Sequence, residues 1–171
     1  AMNRLAKAFV LPLAFVGLLV GATNASAAAC VSAVSGNWNV AATWTAGSAC
    51  TIAGGNSTNG PGADDTVTIS DNTTVTVNAA GLATNSVTIA TGANASGLTF
   101  AAGSSLAVAT TVDVNLPTGA VTKRINVATG TLTVGGNVTL NGGTVANRDA
   151  LLTVSSGLIT IDGGLITNAT V

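Results

Sequence analysis

The chain has 171 residues, 47% hydrophobic and only 6% charged, with five Lys and Arg, six Asp, and no His, Tyr or Glu. So few bases exclude nucleic acid as a partner, because neutralising phosphates takes clustered Lys and Arg. The missing His removes the usual base of a hydrolytic triad and the usual zinc ligand.

Residues 1–27 read as an export signal. Arg4 and Lys7 form a positive start, and an apolar run extends from Ala8 to Ala22. That run is shorter than the roughly 20 residues a membrane-spanning helix needs. Ala25-Ser26-Ala27 supplies the small-x-small pattern for cleavage after Ala27. The expectation is a protein that is secreted or held at the cell surface, with no transmembrane segment in the mature chain. Loss of Arg4 and Lys7 leaves three bases against six Asp. Ala1, ahead of Met2, is left out of fold reasoning.

Residues 28–65 differ from the rest of the chain and are read as an N-terminal cap. They hold Cys30 and Cys50, Trp38 and Trp44, and a small-polar loop from Ala53 to Asp65 with Pro61. Two cysteines in an exported chain most simply form one disulfide, worth about 3 kcal/mol in the chain-entropy picture. The rival reading makes Cys30 a lipid-attachment site; it would leave Cys50 unpaired, and Ala27 stands where that pattern wants Leu. Trp38 and Trp44 are the large apolar groups available to cover the first turn of an open coil. A sugar-binding platform is the other use for such rings. Asp64-Asp65 either binds calcium with loop carbonyls or caps the turn into the next strand.

From Thr66 to Val171 short strands alternate Val, Ile or Leu with Thr, Asp or Asn, as in Thr66-Val67-Thr68-Ile69 and Thr131-Leu132-Thr133-Val134. Period-2 alternation places one set inward and the other outward. Apolar side chains recur at a regular spacing: Ile69 and Ile89; Val87, Leu106 and Ile125; Val112, Leu132 and Leu152; Val138 and Leu158. Gly143 and Gly163 keep the same spacing. Such a period predicts an all-β solenoid of about 20 residues per coil, with two or three strands in each. An antiparallel β-sandwich is the competing fold, since the strand spacing also suits it.

Cys30-Val31, Gly36-Asn37-Trp38-Asn39, Ala42-Thr43-Trp44, Cys50, Pro61 and Asp64-Asp65-Thr66-Val67-Thr68-Ile69 together resemble the amino end of secreted bacterial surface proteins. These are of the β-strand-repeat, right-handed parallel β-helix type, like autotransporter passengers. The resemblance covers the cap and, as a general pattern only, the rungs. It implies a right-handed parallel β-helix and an adhesive or structural role. The chain stops at Val171 within what reads as a rung, so a truncated or open C-terminal end is expected.

The acids do not suggest catalysis. Asp71, Asp113, Asp149 and Asp162 do not follow the spacing of the apolar positions, so they should not form one column. Lys123-Arg124 and Arg148-Asp149 are expected in corner loops. No catalytic residue, cofactor site or metal site is assigned, and the chain is read as non-enzymatic. The expected function is a structural or adhesive element of the cell surface or extracellular matrix. Its expected partners are glycans, other surface proteins, or a second copy joined at the edge formed by Leu165 to Val171. A carbohydrate-binding or polysaccharide-cleaving β-helix is the alternative. An ice-binding solenoid built on Thr66/Thr68, Thr74/Thr76 and Thr131/Thr133 is the third.

Overall fold

The computed structural model describes residues 27–45, 50, 60–143 and 147–170. The segment read as a signal, up to Ser26, and much of the loop before Gly60 lie outside the described residues, as does Val171.

Fifteen strands are present among the described residues, with one turn of 3-10 helix at Ala41–Thr43. The strands are β1 (Ala29–Val31), β2 (Gly36–Asn37), β3 (Thr66–Ile69), β4 (Thr74–Val77), β5 (Leu82–Thr84), β6 (Ser86–Ile89), β7 (Ser96–Phe100) and β8 (Ser105–Val108). They continue as β9 (Val112–Val114), β10 (Thr122–Asn126), β11 (Thr131–Val134), β12 (Val138–Gly143), β13 (Asp149–Thr153), β14 (Leu158–Ile161) and β15 (Leu165–Thr170). Three sheets form: β1-β3-β6-β9-β12-β15, β2-β4-β7-β10-β13 and β5-β8-β11-β14. Every ladder within them is parallel. Among the described residues the antiparallel contact is the isolated bridge Ser32–Trp44. The chain is therefore a parallel β-solenoid with three strands per turn, not a sandwich.

Alternation works as the sequence implies. In β3, Val67 and Ile69 are buried while Thr66 is exposed; in β4 and β11 the same two positions are buried. The inward Val, Ile and Leu of successive turns merge into one apolar cluster that also holds Trp38, Trp44, Cys30 and Cys50. β-branched side chains suit this interior because they pack well on a pleated surface.

The length of the coil differs from the expected one. Ile69 does pair with Ile89, at the expected step. After that the step grows: Val87 pairs with Val112, Val112 with Val138 and Val138 with Leu165. The last is a step of 27, the same as from Asn141 to Asn168, from Ile125 to Leu152 and from Leu132 to Ile159. The other sequence recurrences join different sheets. Leu132 lies in β11, and Leu152 lies in β13 of the neighbouring sheet. Strands in all three sheets carry inward apolar side chains at alternate positions. The shorter step therefore lands on a strand of the right pattern but the wrong face.

The growth falls at the corners: between the third and first sheets the junction goes from residue 85 alone to 109–111, 135–137 and 162–164. The corners between the second and third sheets keep one length, residues 78–81, 101–104, 127–130 and 154–157. Those between the first and second sheets lengthen, from 70–73 to 90–95 and 115–121. The glycine recurrence is corrected in the same way. Gly163 stacks over Gly136, whose carbonyl accepts its amide at 3.2 Å, whereas Gly143 ends β12. A Cβ on Gly163 would lie 2.6 Å from that carbonyl oxygen, so no larger residue fits this corner unshifted.

This register is tested by cross-linking. Thr133 and Thr160 are partners on adjacent strands, and neighbouring strands lie about 4.8 Å apart, within disulfide reach. The double variant Thr133→Cys/Thr160→Cys should form a new disulfide under mild oxidation, read by peptide mapping. Thr133→Cys/Thr153→Cys, a pair spaced like Leu132 and Leu152, should not.

Candidate functional site

The second sheet carries the most differentiated outer surface. Its register stacks Thr74 on Gly97 on Arg124, and Thr76 on Thr99 on Asn126. Gly97 matters here, because a Cβ there would lie 2.2 Å from the Arg124 carbonyl oxygen and 3.2 Å from its Cγ. Arg124 therefore packs directly over the bare glycine, and beside it lies a groove of about 230 Å³ lined by Thr74, Ser96, Thr99, Thr122, Arg124 and Asn126, with Ala95. Thr76 and Thr99 share a hydroxyl–hydroxyl hydrogen bond of 3.1 Å beside it. The Arg124 side chain is exposed and makes no hydrogen bond or ion pair among the described residues. A planar guanidinium among hydroxyls and an amide can hold a carboxylate or sulfate bidentately while the neighbours bond to sugar hydroxyls.

Behind this groove lies a polar knot that the sequence expectation misses. Lys123-Arg124, expected in a corner loop, belongs to β10, and Lys123 is fully buried. The signal is present in the chain: Lys123 sits two residues before inward-facing Ile125, so alternation points it inward too. Its ammonium donates to the Asp71 carboxylate at 2.5 Å, the Asn94 carbonyl at 2.7 Å and the Ser96 hydroxyl at 3.0 Å. These bonds use all three of its donors. Asp71 also accepts from the Asn94 backbone amide and side-chain amide. One amine on β10 thus ties together the corners that precede β4 and β7. Gly92 presses on the Asp71 carboxylate so closely that any Cβ would collide with it, and its φ of 150° falls where side chains are disfavoured.

At the N-terminal end of the stack, Cys30 and Cys50 form a disulfide with Cα atoms 5.5 Å apart. Its presence answers the lipid-attachment alternative for Cys30. Trp38 and Trp44 meet edge to face, with ring centroids 5.5 Å apart. The Trp44 ring N–H donates to the Trp38 carbonyl and that of Trp38 to the Pro61 carbonyl. Both side chains are buried, at 2% and 0% exposure respectively, so neither offers a ring face to a sugar. Asp64 is exposed. Asp65 is buried and accepts from the Gly62 amide, which fixes the turn into β3.

The remaining charged positions are not brought to one place. Asp113 lies on β9 beside Thr88 and Thr139, and Asp162 lies in the corner after β14. Arg148 donates to the Pro117 carbonyl, and Asp149 begins β13. No cluster of three or more Cys, Asp, His or Glu residues able to hold a metal occurs among the described residues. The Thr pairs do not build one continuous array. Thr66/Thr68 meets Ser86/Thr88, but Thr88 then faces Asp113. Thr131/Thr133 faces Ser105/Ala107 on one side and Leu158/Thr160 on the other.

No protein-family description, no curated protein and no solved structure matches this chain.

The polar knot sets a pH dependence. Hydrogen bonding from Lys123, and then from Asn94, lowers the Asp71 carboxyl to about 2 from its ordinary 3.8. A depressed folded value stabilises the fold above the unfolded value, and that contribution is lost as pH falls through the folded one. Asp71 should therefore support the fold fully above about pH 5 and progressively less between about pH 4 and pH 2. Urea unfolding should show this acid loss in the native chain and a smaller one in Asp71→Asn. The two ends of the pair should also differ. Asp71→Ala strands an ammonium with no exposure, whereas Lys123→Met leaves a carboxylate side chain that is 29% exposed. Asp71→Ala should be the more destabilising of the two.

Proposed function

We propose that the chain is an exported, non-enzymatic structural or adhesive β-solenoid of the cell surface or extracellular matrix, able to join end to end with a second copy. The signal is residues 1–27 and the cap is residues 28–65. The observation that carries this reading is the character of the last described turn. Leu151, Leu158 and Ile166 stand on its outer surface at positions where the turn before has Arg124, Thr131 and Thr139. All three are exposed, as is Leu165, whose partner Val138 is fully buried. The edges of β13, β14 and β15 face away from the stack with no further strand paired to them among the described residues. Open backbone donors and acceptors framed by aliphatic side chains favour the addition of strands from another molecule.

Size measurement across concentration tests this reading. The exported chain should shift from monomer to larger species as its concentration rises. Leu158→Lys with Ile166→Lys should hold it monomeric, because charge on an edge blocks pairing. A native chain that stays monomeric at high concentration overturns end-to-end joining.

The groove supports a second reading, a carbohydrate-binding surface for acidic glycans. The unpaired Arg124 guanidinium among hydroxyls is the favouring observation. A glycan array should then retain uronate- or sulfate-bearing sugars over neutral ones. Arg124→Ala should weaken retention by about tenfold or more, the scale of one lost charge-assisted pair.

A further inference from the structure

Asp65 is a buried carboxyl group with no cationic partner among the described residues. It is only 8% exposed. Its Oδ2 accepts from the Gly62 amide at 2.8 Å and its Oδ1 from the Ala28 backbone nitrogen at 2.8 Å. Its own carbonyl is also used, accepting from the Asn85 amide and the Thr84 hydroxyl. Among the described residues the one salt bridge is Lys123–Asp71, so no Lys or Arg neutralises Asp65. Burying a carboxylate without an opposite charge is costly, and native structures rarely leave one so.

The nitrogen at Oδ1 belongs to the residue that the Ala25-Ser26-Ala27 pattern would make the first of the mature chain. Ala27 is exposed and Ala28 is buried, so the change from open to packed chain falls at that peptide bond. The Ala28 carbonyl is already engaged by the Thr66 amide at 2.8 Å, which holds the residue against the start of β3. Hydrolysis of the bond between Ala27 and Ala28 adds one water and frees the Ala27 carboxyl with the leaving segment. It leaves a protonated α-amine on Ala28, at the position where Asp65 accepts a hydrogen bond.

We propose that Asp65 is the receptor for the processed N-terminus: removal of residues 1–27 creates an ammonium at Ala28 that forms a buried ion pair with Asp65 and locks the cap onto the first rung. The proposal rests on the exported reading, and deepens it. A backbone amide at the same place donates one hydrogen bond to the carboxylate but brings it no opposite charge, so the buried group stays uncompensated until the ammonium forms. Processing then does more than release the chain: it completes the packing of the end on which the other turns stack.

The test uses the full chain exported with its own leader, and a variant with Gly-Ser inserted between Ala27 and Ala28. Intact mass of each product reports where processing occurred. The native product should begin at Ala28 and melt about 3–6 °C above the inserted one, the shift expected for one charge-assisted pair in a chain of this size. Asp65→Asn should lower the native midpoint and close the gap between the two. Acylation of the α-amine at neutral pH needs no change at Asp65. It should run at least tenfold slower on the native product than on the inserted one. A native product that begins at Ala28 but melts with the inserted chain and acylates as fast overturns the lock and leaves export standing. A product that keeps its leader, or begins elsewhere, overturns the processing on which the proposal rests.

Discussion

Parallel, in-register stacking of inward aliphatic side chains is the constraint on which the molecule depends. Each strand inside the stack hydrogen-bonds to the turns before and after it, so its backbone polarity is satisfied along the axis. The interior must then be apolar in every layer. It is filled by columns such as Leu82, Leu106, Leu132 and Ile159, and Val75, Leu98, Ile125 and Leu152. Stability of this kind is summed turn by turn, since each turn touches only its neighbours. The first described turn differs from those that follow: it has a disulfide, two buried Trp rings and an anchored Asp65. The last described turn carries aliphatic side chains on its outer surface.

The fold class is legible because alternation is a local signal. Thr66-Val67-Thr68-Ile69 and Ser86-Val87-Thr88-Ile89 each declare which side chains face inward, and both are strands with that burial. The period is not legible, for the same reason. Three strands per turn share one pattern, so Leu132 has two acceptable matches downstream, and only the register separates Leu152 from Ile159. β5 escapes a sequence reading because Leu82-Ala83-Thr84 is short and contains a single β-branched residue. The groove is illegible because its walls come from β4, β7 and β10, which only the register brings together. Gly97 lies inside β7, where its bare backbone makes room for Arg124.

Lys123 shows how a charge enters so apolar an interior. Its ammonium has no exposure, and its partners come from two successive corners and the start of β7. A hydrophobic residue would fill the same volume without desolvation cost, so the pair is weak evidence for extra stability. What it adds is registry. The donors are satisfied only when the corners before β4 and β7 are aligned with β10, and a slipped turn would strand a buried charge. Ser96 belongs to both the knot and the groove, so alignment of the corners also fixes the wall on which Arg124 is displayed.

The unequal corners have a practical meaning. Between the second and third sheets every junction has one length, while between the first and second it varies from residues 70–73 to 115–121. The scaffold therefore has one seam of fixed length and two that vary, since the junction between the third and first sheets goes from residue 85 alone to 109–111. Between the first and second sheets, the earlier junctions are committed to Asp71 and Asn94, whereas residues 115–121 are longer and are tied through the Pro117 carbonyl, which accepts from Arg148. That junction is the natural place to graft a foreign epitope. An insert there would stand at a set height on the stack, because successive turns are spaced by the strand-to-strand distance of about 4.8 Å, a ruler at molecular scale.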